Sequence, residues 1–274
     1  MKTKTIVLVH GLSASKHSWD GWAARYRSRG YTVVAPAYHP GLDKSLAELQ
    51  QTPNDPLLST ITLPQVLDHL TRVIKGLDER PAIIGHSFGG LLTQLLLQRD
   101  LGVAGVAVDS APPPGVLPTQ LSFLRFSLPI FNPLIPATKP WYMTFKQFQY
   151  GWTHTLPLAE QRTGYEAVIV PESRGLYRSG LTRDAKLDWT RSRAPLLFIS
   201  GEKDHIIHPA VNKANADRYS KSSSVTDLRV FPGRTHYTIM AGKGWEEVAD
   251  YALNWLLRQN VLAESIKAGI PVAA

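Results

Sequence analysis

Residues Ala82–Leu91 read AIIGHSFGGL: a short apolar run passes through Gly-x-Ser-x-Gly straight into a helical pattern. No other stretch restricts the fold as much. A serine at such a strand-to-helix junction has to adopt unfavourable backbone dihedrals. Side chains at 85 and 89 would collide with the neighbouring strand and helix, which is why both are glycine. The turn pushes the hydroxyl out above the sheet and aims the first N–H groups of the helix at whatever binds there.

The rest of the chain repeats the theme. Ile6–Val9, Thr32–Ala35, Ala82–Gly85, Gly105–Asp109, Leu196–Ser200 and Asp227–Phe231 read as strands. Most are unbroken Val/Ile/Leu/Ala runs, as a parallel sheet covered on both faces requires. Helical patterns separate them, including Leu91–Gln98. A final one places Trp245, Val248, Ala249, Ala252, Leu253 and Leu256 on one face. Alternating strand and helix predicts an α/β fold with right-handed crossovers. A closed barrel shares that alternation.

One segment breaks the rhythm. From Ala111 to about Ala194 no strand is evident. The stretch opens with Ala111-Pro112-Pro113-Pro114 and has further prolines at 118, 129, 133, 136, 140 and 157. Nine aromatics fall between Phe123 and Trp152. Prolines end helices and fix bends, and a structureless loop of this length does not suit a compact domain. The expectation is a helical cap at 112–194 inserted into a core formed by 1–111 and 195–274. Most cap aromatics are expected to glue it down, with a minority lining a pocket; Trp141, Phe145 and Phe148 are the candidates for substrate contact.

Composition removes several classes of function. At 274 residues, 43% hydrophobic and 19% charged, the chain is not intrinsically disordered. Without cysteine it has no disulfides, thiolate metal sites, iron–sulfur cluster or cysteine nucleophile. The net charge of +8 is scattered. Even the richest stretch, Arg174 to Arg193, mixes six basic residues with Asp184 and Asp188. No nucleic-acid motif accompanies it, so the charge reads first as a solubility charge and no nucleic-acid partner is expected, with attraction to an acidic substrate or a membrane surface the open alternative. MKTKTIVLVHG is too short in its apolar run for a signal segment, and no stretch approaches the ~20 apolar residues of a membrane span. A cytoplasmic protein without stable membrane insertion is the expectation.

A serine hydroxyl needs a base, and the base needs an orienting carboxylate. After an elbow of this kind the expected order is serine, acid, histidine. His236 lies just beyond the last strand, in a loop at the sheet's carboxyl edge. His154 falls in the cap, and His205 and His208 flank an acid candidate as local polar residues. That acid is Asp204, presented a few residues after the strand Leu196–Ser200. Its competitors are Asp109, at the tip of the preceding strand and otherwise suited to bonding loop backbone, and Glu202, within a turn and facing solvent. The favoured set is Ser87, Asp204 and His236. No metal is expected: His205-x-x-His208 beside Pro209 is unconvincing as a ligand pair. No nucleotide cofactor is expected either, since Ala241-Gly242-Lys243-Gly244 lacks the phosphate-loop pattern. Glu172-Ser173-Arg174 is a candidate for substrate contact, against a charge pair tying cap to core.

Taken in order, strand-His10-Gly11-Leu12, the Gly85–Gly90 elbow, the Gly201…Asp204 turn and the Gly233…His236 loop resemble the α/β-hydrolases, over Ile6 to about Leu257 and most weakly across the cap. The resemblance implies a doubly wound, mostly parallel sheet of about six main strands, lacking two N-terminal strands common in the family, with the cap after the fourth strand. It implies an oxyanion hole made by the backbone N–H groups of Leu12 and Phe88. Gly11 would permit close approach, and His10 would brace the loop. The function expected is a cofactor-free serine hydrolase cleaving a small-to-medium apolar carboxylic ester. The same constellation also supports amide, lysophospholipid or C–C bond hydrolysis, perhydrolysis, lyase chemistry, or a ligand receptor.

Overall fold

The computed structural model describes residues 2–264. Six parallel strands form one sheet: β1 (Thr5–Val9), β2 (Thr32–Val34), β3 (Ala82–His86), β4 (Ala104–Val108), β5 (Leu196–Gly201) and β6 (Thr226–Phe231), in the order β2-β1-β3-β4-β5-β6. Each strand agrees with its expected position to within about a residue. The first two strands run outward to one edge, and the chain then crosses back to place β3 on the other side of β1. The carboxyl ends of β1 and β3 therefore flank a topological switch point, where open α/β sheets place ligands.

The strands are buried on both faces because their residues alternate between two layers. Ile6 and Leu8 face α1 (Asp20–Ser28) and the carboxyl-terminal helix described below, among Trp19, Trp22, Tyr26 and Leu253. Val7 and Val9 face the opposite layer. There, after the short helices α2 (Leu46–Gln51) and α3 (Pro56–Thr60), lies α4 (Leu63–Lys75). A Thr62/Gln65 capping box and a proline in the first turn start α4, and it buries Leu63, Val66, Leu67, Leu70 and Ile74. α5 (Phe88–Gln98) begins at the residue after Ser87, three earlier than its apolar periodicity suggests, and is buried nearly throughout.

Between β4 and β5 the chain forms α6 (Leu121–Phe131), α7 (Phe145–Gly151), α8 (Leu158–Val168) and α9 (Arg174–Ser179). These share their own cluster, with Phe126, Trp141, Met143, Phe148 and Trp152 at its centre. α10 (Pro209–Arg218) follows β5, and α11 (Trp245–Arg258) closes the layer against β1 with Val248, Ala249, Ala252, Leu253 and Leu256 buried, the face expected from the sequence. Among the described residues no helix is long and apolar enough to cross a membrane. Residues 265–274, the end of the expected carboxyl-terminal core segment, lie outside the described residues.

Candidate active site

Ser87 takes φ +56° and ψ −119°, a conformation that L-residues rarely adopt and that surrounding contacts must enforce. Its N–H donates to the Val108 carbonyl (2.9 Å), and its carbonyl accepts from the N–H groups of Gly90 and Ala111 (2.9 Å each). The end of β4 thus clamps the turn on both sides. A Cβ on Gly85 would lie 2.0 Å from the Gly89 carbonyl oxygen, and one on Gly89 would lie 2.1 Å from that of Val9. The elbow touches its own helix and the adjacent strand, as the two glycines suggest. The β1 loop is equally close: a Cβ on Gly11 would sit 3.0 Å from the Ser87 Cβ.

Asp204 and His236, 32 residues apart, meet: His236 Nδ1–H donates to Asp204 Oδ2 over 2.6 Å, and both side chains are wholly buried. Asp204 Oδ1 accepts from the N–H groups of Ile206 (2.6 Å) and Ile207 (2.9 Å). Burial alone would raise the Asp204 pKa, but His236, a bond from Asp109 and the Ile207 amide together hold it below the ordinary value. The His236 ring packs 4.4 Å from that of His86, the residue before Ser87, with Trp152 edge-on at 4.8 Å. Its Nε2 is buried without a partner among the described residues, and no hydrogen bond joins it to Ser87 Oγ.

The other candidates have local roles. Asp109 Oδ1 accepts from the Gly201 N–H (2.8 Å). Burial and the adjacent Asp204 carboxylate push its pKa far up, so Asp109 is neutral while Asp204 carries the charge. Glu202 is exposed and accepts from the Gly233 N–H. His205 Nδ1–H donates to the Tyr150 carbonyl (2.9 Å) and its ring stacks on His154 with centroids 3.6 Å apart, while His208 caps α10. His10 braces its loop: Nδ1 bonds the Gly11 carbonyl, the ring stacks on Tyr38, and burial lowers its pKa to about 4. Among the described residues, His86, Asp109 and His236 form the one triplet close enough to share an ion, with ligand atoms within 4.8 Å. Asp109 Oδ1 and His236 Nδ1 are engaged with Gly201 and Asp204, whereas Asp109 Oδ2, His236 Nε2 and His86 Nε2 have no partner among the described residues.

Beside Ser87 lies an apolar cleft that opens to solvent. Leu12 and Phe88, whose N–H groups the resemblance assigns to an oxyanion hole, line it with Ser87. Its wall is α6, through Phe123, Phe126, Ser127, Ile130 and Phe131. The three expected substrate contacts are elsewhere. Trp141 pairs with Glu172 in an isolated bridge, Phe145 packs on Tyr165 under Arg162, and Phe148 is fully buried among Trp152, Tyr165 and Tyr237. Trp141 and Phe148 are buried in the core of the β4–β5 segment, and Phe145 is half-buried. The i, i+3, i+4, i+7, i+8 spacing from Phe123 to Phe131 marks one face of α6 in the sequence but not what that face meets.

Ser13, next to Leu12, is held by that same segment. Its N–H donates to Glu172 Oε2 (3.3 Å), its carbonyl accepts from the Val170 N–H (3.1 Å), and its Oγ shares a hydrogen bond with the Tyr177 hydroxyl (2.9 Å). Ser13 also has a strained φ of +57°. Glu172 Oε1 accepts from the Ser173 N–H (2.7 Å), and burial raises the Glu172 pKa to about 7. Arg174 instead donates to the carbonyls of Pro129, Ile130 and Lys139. Neither Glu172 nor Arg174 forms a charge pair between cap and core among the described residues; each fastens backbone separately. In the sequence Glu172 stood out as a candidate for substrate contact or a charge pair, not as a fastener of the loop at Ser13.

A parallel sheet with a strained serine at its switch point, and a buried carboxylate–imidazole pair on the next loops, defines a protein of the hydrolase type. The sequence profile of the alpha/beta hydrolase family matches residues 6–251, and the chain belongs to that family. No curated protein sequence matches significantly. Among solved structures, a monoacylglycerol lipase from Paleococcus ferrophilus is 19% identical, with TM-score 0.66, covering 94% of this chain and 96% of its own. An extracellular alpha/beta-hydrolase from a Paenibacillus species is 21% identical, with TM-score 0.64 and coverages of 91% and 98%. Tomato methylketone synthase I is 16% identical, with TM-score 0.65 and coverages of 94% and 100%. At these identities the likeness is one of fold.

Proposed function

We propose that the chain is a serine hydrolase that cleaves a carboxylic ester of a small-to-medium apolar substrate through an acyl-enzyme. Ser87 Oγ attacks the ester carbonyl and His236 Nε2 takes its proton. Asp204 holds the imidazole in the tautomer that leaves Nε2 free. The oxyanion is received by the N–H groups of Leu12 and Phe88, each worth about 3 kcal/mol in comparable sites. His236 then returns the proton to the departing alkoxide oxygen, and the alcohol leaves. Water, deprotonated by the same nitrogen, attacks the acyl-enzyme and releases the acid. Residues 112–194 serve as the cap over this chemistry.

One observation carries this reading. The imidazole bound to Asp204 keeps its second nitrogen unpartnered, while its ring packs on the residue that precedes a strained serine in an apolar cleft. The cleft gives no cluster of charged lining groups, which favours an apolar acyl or alcohol portion. The test is a p-nitrophenyl ester series of increasing acyl length, read with Ser87→Ala and with a fluorophosphonate label. Sustained turnover, one equivalent of label on Ser87 and loss of both in Ser87→Ala are expected. A single slow equivalent of product would instead identify a receptor, and undiminished turnover by Ser87→Ala would refute the assignment.

A further inference from the structure

α6 is apolar on two sides. One side walls the cleft. The other presents Leu121, Leu124 and Leu128, spaced i, i+3, i+7, to solvent, with Leu117 and Leu134 beyond its two ends. Leu117, Leu121, Leu128 and Leu134 are 82, 82, 68 and 89% exposed. Five of the ten exposed large hydrophobic residues described lie between 117 and 134. Single exposed leucines are ordinary, but a ridge of them marks a surface that something covers.

The surrounding charge says what kind of surface covers it. Residues 110–159 contain no Asp or Glu, and their charged side chains are Arg125, Lys139 and Lys146. Arg125 stands on α6 itself, its guanidinium 4.4 Å over the Tyr150 ring. The whole chain carries +8. A second copy would bring the same acid-free segment and so offers no carboxylate from 110–159 to meet these cations. An anionic lipid surface offers both an apolar layer for the leucines and negative headgroups for the cations.

We propose that the leucine ridge of α6 docks the protein on an anionic lipid surface, so that acyl esters reach the Ser87 cleft past the opposite face of the same helix. Only the last clause rests on the ester-hydrolase reading; the docking itself does not. The leucines enter the interface without the chain spanning it.

The experiment is co-sedimentation with vesicles of phosphatidylcholine containing phosphatidylglycerol, compared with phosphatidylcholine alone. Ser87→Ala protein is expected to bind as tightly as wild type, which separates docking from catalysis. Combining Leu121→Glu, Leu124→Glu and Leu128→Glu is expected to weaken binding by about 1000-fold or more, since burial of each leucine contributes roughly tenfold or more. The three positions are exposed and outside the cleft lining, so the melting temperature and turnover of a water-soluble short-chain ester are expected to persist. Molar salt is expected to weaken binding to the anionic vesicles. Equal binding to neutral vesicles, undiminished binding by the triple variant, or no binding by wild type would overturn the proposal. So would light scattering that shows a wild-type dimer and a monomeric triple variant, because the ridge would then be a self-interface.

Discussion

Glu172→Gln tests how the β4–β5 segment supports the loop that carries Leu12. In the folded protein Glu172 is buried and titrates near 7, against 4.5 for an unperturbed glutamate. Ionising it in place therefore weakens the fold by about 3 kcal/mol. A folded pKa raised above the unfolded one gives stability that is complete below about 4.5 and lost as pH rises through about 7. Glutamine has no such titration. It also turns an N–H toward one of the two backbone donors, Ser13 or Ser173, and an orphaned buried donor costs about 1–3 kcal/mol. The variant should be the less stable protein near pH 4.5, and its deficit should shrink by about 3 kcal/mol by pH ~8. Urea midpoints and slopes across that range give the measurement. The groups that Glu172 shifts, Tyr38 and Tyr177, titrate well above this pH range, so the difference isolates Glu172. Parallel stability curves would refute the reasoning. Turnover at fixed pH should fall by about tenfold in kcat with little change in KM, a fraction of what a whole oxyanion donor supplies.

Asp204→Asn should lower kcat by about 10⁴, because an amide leaves the wrong imidazole tautomer, whereas Asp109→Asn, which imitates a carboxyl already protonated, should stay within a few-fold of wild type; an inactive Asp109→Asn with an active Asp204→Asn would reverse the assignment of the acid. Gly85→Ala should prevent folding, given a backbone oxygen 2.0 Å from the new Cβ, and its soluble yield and melting curve report this. Gly76→Ala, at an α4 cap with φ −82° and neighbours no nearer than 3.4 Å, should instead stabilise by about 0.4–1 kcal/mol in urea. Ser127→Phe should fill part of the α6 wall and shift the preferred p-nitrophenyl ester to shorter acyl chains, an idea that an unchanged chain-length profile would sink.

The sheet, the elbow and the identity of Asp204 and His236 as partners were legible in the sequence because each depends on local rules. Strands buried on both faces leave unbroken apolar runs, and a strained turn leaves glycines where a methyl group cannot fit. Loops following parallel strands all emerge at one edge, so chain order alone brings 204 and 236 to the same end. Nothing local distinguishes Phe126, which faces the cleft, from Phe148, which is buried beside it; that depends on how α6 and α7 rotate against one another. Nor could spacing reveal that Glu172 fastens Ser13 across 159 residues, or that Asp109 yields its charge to Asp204. Those outcomes belong to the tertiary structure, because hydrogen bonds and proton affinities depend on which groups burial forces together, and side chains far apart in the chain meet only once the packed layers have chosen their faces.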